Sequence, residues 1–328
     1  MGQFVLLGFG AGLVSALLFG VVAVGSPAGM LLSYLAPLPI LIVALGWHHL
    51  VGLLAAAIGA LAISFFLRSS AGLAFALGPA LPGWFLAYLA LTGRATSPAG
   101  VEWMPAGRLL LWTGAAGGLI ALAAAIGLGG GDHAQFAETL RRATDTLMRT
   151  EFGMPRRGGP GTIGGVQGET LVRMLVLVTP IVAGAVFSLT LAANLWAAAK
   201  VVSLSGRLPR PWSPLPEVRM PLLALAFLGA ALVASLASGW LGIAGRALAG
   251  GISMMFALQG LALVHVATRE KQGRPALLAL TYLFTILLGH ILLPILAVAG
   301  MIDTATPFRR RLARNHKPSG RNGPPPLN

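Results

Sequence analysis

Cysteine is absent from the 328-residue chain, which excludes disulfides, thiolate metal sites, iron–sulfur clusters and cysteine nucleophiles. Acidic residues number only nine, so paired-carboxylate catalysis has little material to draw on. No Gly-Lys-Ser or Gly-Lys-Thr occurs, and with it goes the phosphate-binding loop of nucleotide hydrolases. Gly159-Pro160-Gly161-Thr162-Ile163-Gly164 spells G-x-G-x-x-G, but no strand precedes it and no acidic residue follows at the ribose spacing. The six histidines make no pair at i, i+4, and adjacent His48 and His49 project about 100° apart on a helix. With no Ser-His-Asp pattern or nucleophile elbow either, the chain is expected to hold no catalytic residue, metal or cofactor and not to be an enzyme.

Charge is scarce as well, at 10% of residues where soluble domains carry roughly a quarter. What fills the space is apolar: 56% of residues are hydrophobic and the mean hydropathy is +0.82. Apolar runs of spanning length lie at 4–24, 30–46, 50–67, 73–91, 109–128, 171–199, 221–237, 247–267 and 276–302. Backbone amides facing lipid are satisfied only in a helix or a closed barrel. Runs without alternation exclude the barrel. The fold class is therefore all-α, a polytopic transmembrane bundle of eight or nine helices, the count depending on whether the last run crosses or dips and returns. The first run lacks a basic leader and is longer than a signal peptide's apolar core, so it reads as an uncleaved helix. Pro37, Pro39, Pro180 and Pro294 fall inside runs, which implies kinks, or unwound backbone lining a cavity at Ala36-Pro37-Leu38-Pro39.

Four regions follow: membrane helices over 1–128, a polar interval over 129–170, membrane helices over 171–303 and a basic, disordered tail over 304–328. Within the interval, Asp132 suits a helix cap with Gln135 three residues on. Phe136, Leu140, Ala143 and Leu147 then share a face, as in an interfacial amphipathic helix. A Gly, Pro and Arg-rich loop completes it. The net charge of +14 comes from residues between and after the apolar runs. That is the pattern of topology and anionic lipid headgroups, and nucleic acid is not an expected partner. The balance favours a cytoplasmic tail.

Small residues recur every four positions in the first run, at Gly8, Gly12, Ala16 and Gly20, and in the third, at Gly52, Ala56, Ala60 and Ser64. Such stripes let helix backbones approach closely, either within the chain or, for the first, against a partner membrane subunit. Polar residues inside apolar runs are the other signal: Asn194, Gln259, His265 and His290. Each must face the bundle interior or a wet cavity. Asn194, Gln259 and His290 are the candidates for lining a small-molecule site, with interhelical hydrogen bonding as the competing role.

From Pro180 onward the order of features resembles the YybS-like family of predicted bacterial membrane proteins, a domain of unknown function. Thr179-Pro180 precedes Asn194-Leu195-Trp196, then Leu204-Ser205-Gly206-Arg207-Leu208-Pro209 leads to Arg219-Met220-Pro221. Leu258-Gln259-Gly260-Leu261-Ala262 follows, and Gly300-Met301-Ile302-Asp303 with Phe308-Arg309-Arg310-Arg311 closes the series. Upstream, Leu35-Ala36-Pro37-Leu38-Pro39-Ile40 also fits. The resemblance implies a multi-pass protein of the bacterial cytoplasmic membrane, related to the substrate-binding components of energy-coupling-factor transporters and to the shape protein MreD. Those components dock on a coupling subunit through a small-residue face of the first helix, to which the Gly8–Gly20 stripe is similar. A transporter-like subunit energised by partners, or a non-transporting envelope scaffold, are the functions this implies.

Overall fold

The computed structural model describes residues 2–306 apart from 98–99, 153–161, 164–165, 215–216 and 270. The tail with Phe308-Arg309-Arg310-Arg311, and the glycine motif beginning at Gly159 except for Thr162 and Ile163, lie outside the described residues. The first run is α1 (Gly2–Gly20), continued by one 3-10 turn at Val21–Val24. The second is broken into α2 (Pro27–Ser33) and α3 (Pro37–Gly46). Pro37 and Pro39 have no amide hydrogen, so Ser33 and Leu35 lose their i+4 donors. The Ala36 and Leu38 amides move up to Ser33 and Leu35, and the Tyr34 carbonyl is left without its usual partner.

Next come α4 (His49–Phe66), α5 (Ser69–Phe75), a π turn at Ala76–Ala80 around Pro79, and α6 (Leu81–Ala90). A short antiparallel hairpin, β1 (Gly93–Ser97) and β2 (Gly100–Trp103), pairs Arg94 with Glu102 and leads into α7 (Ala106–Leu128). The polar interval forms the amphipathic α8 (His133–Phe152), capped where the Ala134 amide donates to Asp132 Oδ1 at 2.9 Å. Its Phe136 and Leu140 pack on Ala125 of α7. A two-residue ladder, β3 (Thr162–Ile163) and β4 (Val166–Gln167), precedes the long α9 (Gly168–Leu204).

The remaining helices are α10 (Leu223–Ser235), α11 (Gly239–Ala267), α12 (Arg274–Leu287) and α13 (Gly289–Ala305). The final apolar run is thus two helices broken at Leu288, not one. The 14 residues of α12 reach about 21 Å, short of a hydrocarbon core of about 30 Å. No α12 side chain is buried. Its less exposed stripe is Arg274, Leu278, Thr281 and Thr285, while Leu280, Leu283, Phe284, Ile286 and Leu287 face outward. Polar inward and apolar outward is the arrangement of a helix bathed in lipid.

Among the described residues, seven helical segments are long and apolar enough to cross a membrane, with α10, α12 and α13 as shorter apolar helices. Outward-facing Phe65, Leu236 and Ile286 are 80–85% exposed. Such greasy surface is incompatible with water and ordinary in a bilayer. The chain is an all-α, multi-pass bundle embedded in lipid. Among the described residues four clusters form its core: one among α1, α3, α4 and α5, a second joining α3 and α6 to α7 and α9, a third joining α7 to α10, α11 and α13, and a small one where Phe136 of α8 meets Ala125 of α7 and Ile243 of α11.

Glycine sets the closest approaches. A methyl added at Gly250 of α11 would collide with the Ile181 carbonyl oxygen of α9, and one at Gly251 with that of Gly114 in α7. Across α11 and α13, Gly260 meets Leu296 while Gly300 meets Phe256, so the two helices run antiparallel.

Candidate functional site

Two polar centres lie inside the apolar bundle. The first is built around Gln259, which is 0% exposed on α11. The Met220 amide, just ahead of α10, donates to Gln259 Oε1 at 2.8 Å. Gln259 Nε2 in turn faces three acceptors that share its two hydrogens, Asp303 Oδ2 at 2.7 Å, the Thr304 hydroxyl at 3.0 Å and the Gly300 carbonyl at 3.1 Å. Asp303 is likewise 0% exposed. From the next position, Arg219 donates to the carbonyls of Asp303 and Thr306, each at 2.8 Å. It thereby caps the end of α13 with a cation where the helix dipole is negative. Gly107, in the first turn of α7, meets the Arg219 carbonyl so closely that no side chain fits. The Gln259 amide therefore ties α11 to the approach to α10 and the end of α13, and the Gly107 contact sets the start of α7 against the same segment.

The second centre is the broken helix. Asn194 of α9, 3% exposed, donates from Nδ2 to the Tyr34 carbonyl, the one the prolines leave free, and to Thr190, both at 2.8 Å. Ser15 of α1, wholly buried, donates to the Ala36 carbonyl. Both Nδ2 partners are carbonyls, so the amide has one permitted orientation, and its buried Oδ1 meets no donor among the described residues. Beside this centre a groove of about 410 Å³ runs along α9, lined by Tyr34, Leu175, Val178, Thr179, Val182, Ala183, Val186 and Phe187.

Of the residues singled out by sequence, Gln259 and Asn194 are buried but share no partner, and Gln259 is spent on structural bonds. His290 differs from expectation. It lies exposed in the first turn of α13, because the break at Leu288 brings a helix end where an unbroken helix would have placed a middle. Gly8 and Gly12 are covered by α4, an added methyl meeting Leu54 at 2.9 Å and the Ala55 carbonyl at 2.6 Å. Ala16 is buried with them, and Gly20 faces Ile63 at 3.6 Å. His265 bonds Tyr282 of α12 at 2.9 Å. No cluster of three His, Asp or Glu able to hold a metal occurs among the described residues.

Sequence reasoning passed over Arg219, Asp303 and Thr304 as site residues. An acidic residue closing an apolar run was the available signal. A family model for predicted membrane proteins, DUF2232, matches residues 13–304. The chain belongs to this family. No curated protein and no solved structure matched it. In this DUF2232 chain the short motifs that are far apart in sequence meet in space: Arg219-Met220 and Gly300 to Asp303 at Gln259, and Leu35-Ala36-Pro37 beside Asn194.

Outside the apolar helices, Arg210 closes one end of the bundle. It is 5% exposed, donates to the Ala90 carbonyl at 2.8 Å and lies over the Trp212 ring. Burial pushes its guanidinium below the usual arginine value. Arg207 covers Trp47 at 4.9 Å in the same region, an arginine–tryptophan arrangement suited to a membrane interface.

Proposed function

We propose that this DUF2232 chain is the substrate-binding component of a small-molecule transporter in the bacterial cytoplasmic membrane, non-enzymatic and energised by partner subunits. The observation behind this reading is the discontinuous α2–α3. Its Tyr34 carbonyl accepts from the buried Asn194 amide, and Tyr34 itself lines the adjoining groove. Helices broken beside a polar side chain inside an apolar bundle are how transporters build binding sites without exposing backbone to lipid. Gln259 and Asp303 act in this reading as the rigid frame that holds α7, α10, α11 and α13. With no nucleotide-binding motif in the chain, an ATP-driven role needs a separate subunit.

A scaffold role for envelope or shape machinery is favoured by a different observation. The third core is closed by glycine contacts, and its Gln259 amide is fully bonded, which suits a rigid platform. Gentle solubilisation followed by mass spectrometry separates the two. The transporter reading expects a copurifying coupling subunit with ATPases and a bound small molecule. Recovery of elongation or division proteins without these would refute it in favour of the scaffold.

A further inference from the structure

Loops far apart in sequence gather at one end of the bundle. Gly46 at the end of α3 meets Val202 near the end of α9, and Arg210 reaches the carbonyl of Ala90 at the end of α6. The start of α7 lies on Arg219 at Gly107, and Arg219 caps the end of α13. Helix α11 passes Met220 at Gln259 and runs on to Ala267. The connections 91–105, 205–222 and 268–273 therefore belong to this end, and the tail follows Thr306 there. With Lys200, Arg108 and Arg274 at the adjoining helix ends, this end takes fifteen of the 23 Lys and Arg and four of the nine acidic residues, so +11 of the net +14. Arg68, the interval 129–170, Arg173 and Arg246 hold the remainder at the other end. Lys and Arg concentrate on the cytoplasmic side of membrane proteins, where the leaflet is anionic.

Two of these cations have a built surrounding. Gly206 adopts φ +69° after α9 and turns the chain back, which lays the exposed Arg207 over the Trp47 ring at 4.9 Å. Arg207 makes no ion pair and no side-chain hydrogen bond among the described residues. Stacking thus holds the guanidinium in place while its N–H fork is left to match two phosphate oxygens. Three residues on, Arg210 is buried over Trp212, and no carboxylate pairs with it among the described residues. A cation kept out of water is screened little, so its field draws an anion toward Arg207 without contact. Leu204 and Leu50, close in sequence to Arg207 and Trp47, face outward at 76% and 55% exposure. They offer acyl chains a surface for which a free phosphate ion has no use.

We infer that this end is the cytoplasmic face and that Arg207 on Trp47, beside Arg210 on Trp212, seats the phosphate of an anionic phospholipid of that leaflet. The inference goes beyond the transporter reading and does not depend on it.

The test uses the full chain, whose lack of native cysteine lets single cysteines report without background. In spheroplasts a membrane-impermeant maleimide should label Ser70→Cys, at the start of α5, and reach Ser205→Cys only after detergent is added. The reverse pattern would overturn the inference. For the seat, the chain is purified in nanodiscs of mixed phosphatidylcholine and phosphatidylglycerol, and the lipid it retains is read by native mass spectrometry. Wild type should prefer phosphatidylglycerol. Arg207→Gln should lower that preference roughly tenfold, as expected for a hydrogen bond to a charged group. Arg207→Lys, which keeps the charge without the fork, should fall between the two, and Lys200→Gln should leave the preference nearly unchanged. Equal losses in Lys200→Gln and Arg207→Gln would reveal a diffuse basic field in place of a seat and overturn the inference, as would a preference indifferent to both. Excess inorganic phosphate should not displace the lipid; displacement matching the Arg207→Gln loss would mark a free-anion site and refute the lipid assignment.

Discussion

The Met220 amide points at Oε1 of Gln259 across 2.8 Å, and that single bond decides which way round the side-chain amide sits. With Oε1 turned to a backbone donor, Nε2 must face Gly300, Asp303 and Thr304. Replacement by leucine leaves a buried amide hydrogen and a buried carboxylate short of partners. Gln259→Leu should therefore lower stability by about 2–5 kcal/mol, measurable by unfolding in detergent.

Gln259→Glu makes a sharper test, because it keeps the shape and replaces the donor with a carboxylate beside Asp303. Oxygen then faces the Asp303 carboxylate, the Thr304 hydroxyl and the Gly300 carbonyl where Nε2 had donated, so acceptors oppose one another in a buried site. The expected result is a loss of unfolding stability at least as large as that of Gln259→Leu, about 2–5 kcal/mol. A variant as stable as wild type would mean that the Nε2–Asp303 bond is unimportant.

How far the sequence reached can be judged residue by residue. Lipid-spanning helices were legible because twenty-residue apolar runs have one physical solution in a bilayer. The cap at Asp132 and the packing of Phe136 and Leu140 were legible from local spacing, whereas Ala143 of the expected face is exposed and Thr144 is buried beside it. Gln259 and Asn194 stood out because polarity is costly in hydrocarbon, but their partners Met220, Tyr34 and Asp303 are 39, 160 and 44 residues away. Nothing local encodes such pairings. A last run that dips and returns was one of the two readings the charges allowed, but the break at Leu288 carries no proline to mark its place, and the exposed position of His290 follows from that break.

Glycine placement gives a prediction with an internal control. Gly251 is walled by the Gly114 carbonyl and the Ser188 hydroxyl, whereas Gly10 of α1 has open space beside it. Gly251→Leu should force α7 and α11 apart and cost at least the 1–3 kcal/mol or so typical of overpacking. Gly10→Leu should change thermal stability within about 0.5 kcal/mol. Gly12→Leu belongs with the first, since its side chain would strike Ala55 and Ile58 of α4. Loss of partner recovery in that variant must be read alongside its unfolding temperature.

The broken helix offers a coupling that a double-mutant cycle can measure. Asn194 is needed at Tyr34 because Pro37 and Pro39 deny the preceding carbonyls their i+4 donors and the Leu38 amide shifts to Leu35. Restoring amide hydrogens with Pro37→Ala and Pro39→Ala lets the Leu38 amide return to Tyr34, and α2 and α3 become one helix. In wild type, Asn194→Leu leaves the Tyr34 carbonyl without its donor and should cost about 1–3 kcal/mol. In the proline-free background that carbonyl has a backbone partner, so the same substitution should cost distinctly less, with an interaction energy of about 0.5–3 kcal/mol. Transport or ligand retention should fall in the proline-free chain even as its stability holds, because continuity of the helix removes the irregular backbone beside the groove. Additive costs across the cycle would show that Asn194 does not answer the prolines, and the second centre would lose its physical basis.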